Sequence, residues 1–525
     1  MKTKLLALMV VVGGLFLGGM VFSADWPGWR GPQRNGVVPE SPPLLDVFPE
    51  GGAKKLWESE ELHAAGNQSY GCVTVADGCA YLYLNWGFNV PKDDRVLTMG
   101  NLNGHGYAPD TPADLLKAVE EARVSDARKN LKTGKEIDPW VNEWLKANMK
   151  PEQKKFQGVA QARLRAGPAA LPLDLLAKLA TIADKVFPNQ EAFDQWFKDN
   201  GIDDATMKQA TKGVVKTKPA ARDFVACLDA ATGKTLWKVE VDAKKQAFSA
   251  SSTPAVAGGR LYVLTSAGVV YCLDAKTGKE VWKKQPFEKP ADSHCSVLLV
   301  DGVVVVNAAS ALGLDAQTGE VLWQDKKLAA TCPSPALWKT GDKTCVIVQG
   351  RQLTCLEPKT GKVMWTVPGV GSSTPAVSGD FLAYTAGKKL IAYKLSADKA
   401  EKLWEIPFGD EYTSPLIYKD HVYALGAIDR NSRQGRGVCV ELATGKIVWE
   451  TPLDAYSCSS PLVADDKLIA LGGGQVLLIK ASPDKYTLLG KAALHKGDIW
   501  TSPSLADGKL FLRVGTRVAC FDLHK

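Results

Sequence analysis

From residue 222 to the C-terminus, apolar and polar positions alternate with a period of two in short runs broken by glycine-containing turns. In the clearest unit the runs are Thr253 to Val256, Arg260 to Thr265, Val269 to Asp274 and Glu280 to Lys283. The pattern predicts four short antiparallel strands, because alternate side chains of a strand point to opposite faces. Val, Tyr and Leu recur at two rather than 3.6, which excludes a helical repeat. Between the third and fourth strands lies Asp274-Ala275-Lys276-Thr277-Gly278, followed by Trp282. This reads as a hairpin in which the Asp carboxylate accepts local N–H groups and Gly takes a left-handed conformation.

The unit repeats. Trp237, Trp282, Trp323, Trp365, Trp404 and Trp449 follow one another at intervals of 45, 41, 42, 39 and 45 residues. Gly233, Gly278, Gly319, Gly361 and Gly445 precede five of them by four positions, whereas the Trp404 unit has Ala400 and a weaker turn. A second series opens each unit: Thr253-Pro254, Ser334-Pro335, Thr374-Pro375, Ser414-Pro415, Ser460-Pro461 and Ser502-Pro503, with Gly71-Cys72 and His294-Cys295 in two further slots. Eight starts of four strands each are the pattern of an all-β, eight-bladed propeller. The last unit stops before any Trp, and Lys54 to Glu60 supplies a lone Trp-bearing strand around Trp57, so the N-terminal strand is expected to complete the last blade and close the ring.

The repeated Leu228-Asp229-Ala230-Ala231-Thr232-Gly233-Lys234-Thr235-Leu236-Trp237 resembles the tryptophan-docking motif of the PQQ-like, or quinoprotein, eight-bladed propellers. The resemblance covers 54–86 and 222–525, and implies that Trp57, Trp237, Trp282, Trp323, Trp365, Trp404 and Trp449 are packing residues between blades. That family includes PQQ dehydrogenases and also noncatalytic propellers similar to BamB, the scaffold subunit of the outer-membrane β-barrel assembly machinery. The segment Trp26-Pro27-Gly28-Trp29-Arg30-Gly31-Pro32 is similar to one that precedes propellers in some secreted bacterial PQQ-like proteins, and Trp26 and Trp29 call for burial.

Residues 87–221 break the pattern. Leu115, Leu116 and Val119, and Leu173, Leu176, Leu179, Ile182 and Val186, recur at helical spacing. Thr111-Pro112, Asp138-Pro139 and Asn189 read as helix starts, giving five or six short helices inserted between the second and third strands of the first blade. That placement puts the insertion on the face where the inner strands begin. A smaller insertion, Asp429 to Gly437 with Arg430, Arg433 and Arg436, falls in the equivalent loop of the sixth blade.

The N-terminus starts with Lys2 and Lys4, continues through an apolar run from Leu5 to Phe22 and reaches small residues at Ser23-Ala24. This reads as a secretory signal peptide over 1–23, followed by a tail over 24–53; an uncleaved membrane anchor is the alternative reading. The expected mature protein is periplasmic or secreted and not integral to the membrane. A net charge of +7 scattered along the chain demands no nucleic-acid partner. Of eleven cysteines, Cys227, Cys272, Cys355, Cys439 and Cys520 share one repeat position and read as small core residues, while Cys72 and Cys79 are near enough in sequence to pair. No C-x-x-C-H or C-x-x-C motif points to covalent haem or structural zinc.

A site is expected at the mouth of the central channel, where one loop from each blade converges. Its ligand-binding candidates are Asp292, His294, Tyr412 and Trp500, with Tyr70 and Glu411 beside them. No Cys-Cys pair of the quinoprotein dehydrogenases is present, and there is no nucleophile elbow, zinc-protease motif or P-loop. The leading expectation is a noncatalytic protein-binding or assembly scaffold without a cofactor or metal, its partner bound through the helical insertion. The alternatives are a PQQ-dependent dehydrogenase with Ca²⁺ at the channel mouth, and a carbohydrate or small-ligand binder.

Overall fold

The computed structural model describes residues 25–63, 67–68, 70–243, 251–287, 294–369, 371–410, 412–428, 434–453, 458–493 and 500–525. The leader over 1–23, Asp292, Glu411, Arg430 and Arg433 lie outside the described residues. Two compact units result: one runs to Phe88 and resumes at Ala221, the other is Asn89–Ala220.

The first unit holds eight antiparallel sheets in chain order. Blade one is Thr74–Ala76, Cys79–Pro91, Thr217–Asp229 and Thr235–Val241, with a short fifth strand, Asn67–Gln68. Blades two to seven open at Ala255–Ala257, Leu298–Val300, Ala336–Thr340, Ala376–Ser378, Leu416–Tyr418 and Leu462–Ala464. Blade eight joins Ser504–Ala506, Lys509–Val514 and Arg517–Asp522 to Lys54–Glu58, which pairs with its last strand in the register Lys54↔Asp522 and Trp57↔Cys520.

The blades are closed into a circle by one repeated hydrogen bond. The backbone N–H of the residue that opens each inner strand donates to the side chain of its counterpart in the next blade. The chain runs Cys72 to Thr253 (3.0 Å), Thr253 to Ser296 (3.0 Å), Ser296 to Ser334 (2.8 Å) and Ser334 to Thr374 (3.2 Å). It continues Thr374 to Ser414 (2.9 Å), Ser414 to Ser460 (3.0 Å), Ser460 to Ser502 (2.8 Å) and Ser502 back to the Cys72 sulfur (3.2 Å). Eight links return to the first residue, so the circle has eight members. In blade three the member is Ser296 rather than the expected His294-Cys295, because its hydroxyl accepts an N–H where the Cys295 thiol instead faces the N–H of Asn307.

Around the rim, each indole docks on the following blade. Nε1 of Trp57, Trp237, Trp282, Trp323, Trp404 and Trp449 donates to the backbone oxygen of Ala230, Ala275, Ala316, Pro358, Leu442 and Ser482 at 2.7–3.1 Å. This docking explains the Thr-Gly turn. Gly278 has φ +71°, and a Cβ there would lie 2.6 Å from the Trp237 ring; Gly233, Gly319, Gly361 and Gly445 stand under a Trp in the same way. Trp365 meets the blade whose turn has no glycine, and its Nε1 is buried without a hydrogen-bond partner. Blade seven brings no docking Trp. At Gly490 of its outer strand the N-terminal tail covers the gap, with the Phe48 ring 3.1 Å from where a Cβ would stand. The five repeat-equivalent cysteines are all buried, and all eleven cysteines are free thiols, Cys72 and Cys79 included.

The second unit is helical and richer than expected, with helices Met99–Gly104, Ala113–Arg123, Asp126–Lys129, Gly134–Asn148, Gln157–Ala166, Leu173–Ala180, Gln190–Asp199 and Asp204–Ala210 among its described residues. It departs from expectation at Asp138-Pro139, which lies inside a helix that starts earlier because Thr133 and Glu136 form a capping box. Val186 is not on a helix either; Val186–Phe187 pairs with Arg95–Val96, leaving Val186 exposed and Phe187 buried. Asn189 does cap a helix, its Oδ1 accepting from the Ala192 N–H at 2.8 Å. The strands that flank this unit extend to Pro91 and from Thr217. No helix among the described residues is long and apolar enough to cross a membrane.

Replacing Gly278 by Ala forces a side chain into the docked Trp237 at a left-handed φ, and is expected to cost about 2–4 kcal/mol in urea unfolding. The same change at Gly302, which has φ +78° but open space around it, is expected to cost about 1 kcal/mol.

Candidate functional site

The inner edge of each first strand faces the axis and carries backbone groups that no neighbouring strand can pair. In this protein the tail satisfies them. Trp26 exchanges two backbone hydrogen bonds with Val75 of blade one, and the carbonyl of Pro27 accepts from Val256 of blade two. The Trp29 indole donates to the Thr374 hydroxyl of the hydrogen-bonded circle at 3.0 Å. Arg30 donates to the carbonyls of Ser414 (3.3 Å), Pro415 (2.5 Å) and Asn35 (2.6 Å). Arg34 donates to Pro335 (3.0 Å), Val297 (2.7 Å) and Ser296 (3.4 Å), and Asn35 to Val377 (3.2 Å). Gly36 and Val38 pair with Val463 of blade seven.

Seven blades are thus stitched to one short segment. Its contacts fall at the circle residues or up to three positions downstream of them. The tail therefore plugs the channel below its mouth, on the side of the Asp-Thr-Gly turns. Arg30 and Arg34 are 3% and 4% exposed. Burial pulls their pKa values down to about 9 and about 10, the charge of Arg34 adding to the effect on Arg30. Both have positive φ, 60° and 57°, a strained conformation for a residue with a Cβ that the surrounding contacts hold in place. The sequence signal was the cluster of Trp, Gly and Arg in 26–36, read only as an ordered tail.

At the mouth, the structure brings together Trp500, 46% exposed, and Tyr70, with ring centroids 5.1 Å apart. His294 lies at the start of blade three, its Nδ1 3.3 Å from the Ser251 hydroxyl and its N–H bonded to the Thr331 carbonyl. Tyr412 stands at the start of blade six, its N–H donating to Asp410 at 2.6 Å. His294 is thus held by Ser251 and Thr331, and Tyr412 by Asp410. Beneath Tyr70 lie the buried Arg513, 3.2 Å from His63 Nε2, and the Cys72 thiol, which burial pushes up to about 11. Arg436, expected in the blade-six loop, instead lies in the strand Gly435–Glu441 and is committed to Glu450 and to the carbonyls of Pro407 and Phe408.

One buried carboxylate escaped the sequence reading because its partners are remote in the chain. Asp223 accepts from the Tyr83 hydroxyl, from Asn85 Nδ2 at 2.6 Å, and from the Ser266 N–H and hydroxyl at 3.0 and 2.6 Å. Burial raises its pKa against the pull of those hydrogen bonds. A quinone cofactor held with a divalent cation needs convergent oxygen ligands. Among the described residues no three His, Cys, Asp or Glu side chains group as a metal centre, and Asp223 and Asp410 spend their oxygens on protein donors.

Arg34→Ala leaves the carbonyls of blades three and four unpaired in a dry channel, and a loss of about 3 kcal/mol or more is expected in chemical unfolding; a neutral result would contradict the stitching role. For Asp223, the folded state holds its proton to higher pH than the unfolded chain. Its contribution is therefore most favourable below about pH 4 and declines as pH rises through the folded pKa. Asp223→Asn is expected to flatten that decline when unfolding free energy is followed from pH 4 to 7.

A family profile described as "Outer membrane protein assembly factor BamB" matches residues 221–368, 314–431 and 427–484, which together span half of the chain. No curated protein matches it. Among solved structures, BamB from Moraxella catarrhalis is 17% identical, with 57% of this chain and 88% of that one covered and a TM-score of 0.46. Quinohemoprotein alcohol dehydrogenase from Comamonas testosteroni is 14% identical over 59% and 73% of the two chains, TM-score 0.43. Quinohemoprotein alcohol dehydrogenase ADHIIG from Pseudomonas putida HK5 is 12% identical over 58% and 72%, TM-score 0.43. By the profile match and the repeat it rests on, this chain belongs to the BamB family of PQQ-like β-propellers.

Proposed function

We propose that this chain is an exported, noncatalytic propeller that serves as a protein-binding or assembly scaffold, in the periplasm or at the outer membrane. The observation that carries the reading is the filled axis: the chain's own residues 26–38 occupy the channel and spend two buried arginines on backbone carbonyls. A plug of this kind makes the ring rigid, which suits a platform whose loops and insertions do the recognising. The family description, an assembly factor for outer membrane proteins, supports the same direction. The helical unit, 89–220, and the blade-six loop are the proposed recognition elements, being the places where the repeat is interrupted.

A second reading is favoured by one feature. The exposed Trp500 beside Tyr70 is a stacking surface of the type that binds sugars or other flat ligands. A PQQ-dependent oxidoreductase would instead need oxygen ligands for Ca²⁺ beside the quinone.

Titration of the purified protein with PQQ in the presence of Ca²⁺ is expected to show no saturable heat, and alcohols to give no dye reduction. Stoichiometric PQQ binding at micromolar affinity would overturn the scaffold reading. Saturable glycan binding that is lost in Trp500→Ala would transfer the assignment to the second reading.

A further inference from the structure

Arg30 and Arg34 carry two positive charges into the interior of the ring, and their hydrogen-bond partners are backbone carbonyls rather than carboxylates. Apart from desolvation, the charge that acts on Arg30 is that of Arg34. Among the described residues neither guanidinium has a carboxylate partner, and buried charge without a counter-charge is among the costliest features a fold can retain. A second observation lies beside the first: Nε of Arg30 is buried and has no hydrogen-bond partner among the described residues. The third is a small cavity at the same place, in which the centre of a water-sized sphere can range over about 10 Å³, lined among others by Arg30, Trp26, Trp29, Cys72, Ser460 and Ser502.

The polar side chains of that lining are donors. The hydroxyl oxygens of Ser460 and Ser502 each accept an N–H within the eight-membered circle. A hydroxyl has one proton and two lone pairs, so each retains its O–H to give. The Cys72 sulfur likewise accepts the Ser502 N–H and keeps a weak S–H donor. A guanidinium, two hydroxyls and a thiol therefore line a space that Trp26 and Trp29 also wall.

We infer that this cavity binds a single monovalent anion of halide size, chloride under ordinary conditions, as the counter-ion of the buried arginine pair. Water would satisfy the Arg30 Nε–H but would bring no charge. Phosphate and sulfate are too large for the space. The anion also gives the circle a second purpose: its acceptor lone pairs hold the blades together, while the Ser460 and Ser502 hydroxyls each keep a proton for the ion.

The test uses bromide as the probe. Crystals of the protein grown in sodium bromide are expected to show an anomalous peak beside Arg30 Nε, within reach of the Ser460 and Ser502 hydroxyls. In solution, replacing chloride by gluconate at constant ionic strength is expected to lower the melting temperature saturably by about 2 °C. Arg30→Lys keeps the charge and removes Nε–H, and Ser502→Ala removes one donor; both are expected to lose the halide-dependent shift. Should either variant fail to fold, the bromide density of the unaltered protein decides. A water at the site with no anomalous signal, together with equal melting in chloride and gluconate, overturns the proposal.

Discussion

The structure depends on one hydrogen bond made eight times. A propeller blade buries both faces against its neighbours, but burial is non-directional and would hold seven or nine blades as readily as eight. The N–H-to-hydroxyl link at each inner-strand start has a fixed length and direction, and passes from Cys72 through Ser414 and back. It sets the spacing of the blades at the narrowest radius, where an error in angle is largest. The tryptophans perform the corresponding task at the rim, where each indole is clamped between its own strand and the next blade's turn. Position by position, the inner link needs a small side chain with an acceptor, which is why Ser, Thr and a single Cys are found there.

Closing the ring creates a problem that packing cannot solve. Eight first strands present unpaired backbone edges to one narrow channel, and a dry channel penalises each of them. The tail answers with groups of the right reach: backbone for the adjacent blades, and the long guanidinium forks of Arg30 and Arg34 for the carbonyls across the axis. The inner edges of seven blades are thus met by the chain's own tail inside the channel. The uneven blades have local causes as well. Where blade five lacks the turn glycine, Trp365 loses its hydrogen-bond partner, and where blade seven lacks a Trp, Phe48 of the tail packs against Gly490.

Much of this was legible from residue order. A period of two, the Asp-x-x-Thr-Gly turns and the regular Trp spacing specify strands, hairpins and their number, because each is governed by neighbours within a few positions. The closing strand could be deduced from a missing Trp at one end of the chain and a surplus one at the other. Local reasoning faltered where two local signals competed. Asp138-Pro139 resembles a helix start, but the capping box at Thr133 and Glu136 begins the helix a turn and a half earlier. Val186 continues a helical spacing, yet pairing with Val96 puts it in a strand.

What the chain by itself determined is therefore the repeat: how many strands, where they turn, and which Trp and Gly must stay together. Only the tertiary structure decided what meets on the axis. The Ser296 hydroxyl in place of Cys295, the stitching by Arg30 and Arg34, the Asp223 cluster with Tyr83, Asn85 and Ser266, and the pairing of Tyr70 with Trp500 join residues from 43 to 430 positions apart. Such contacts leave no periodic trace, because they arise from closure of the ring rather than from any repeat within it.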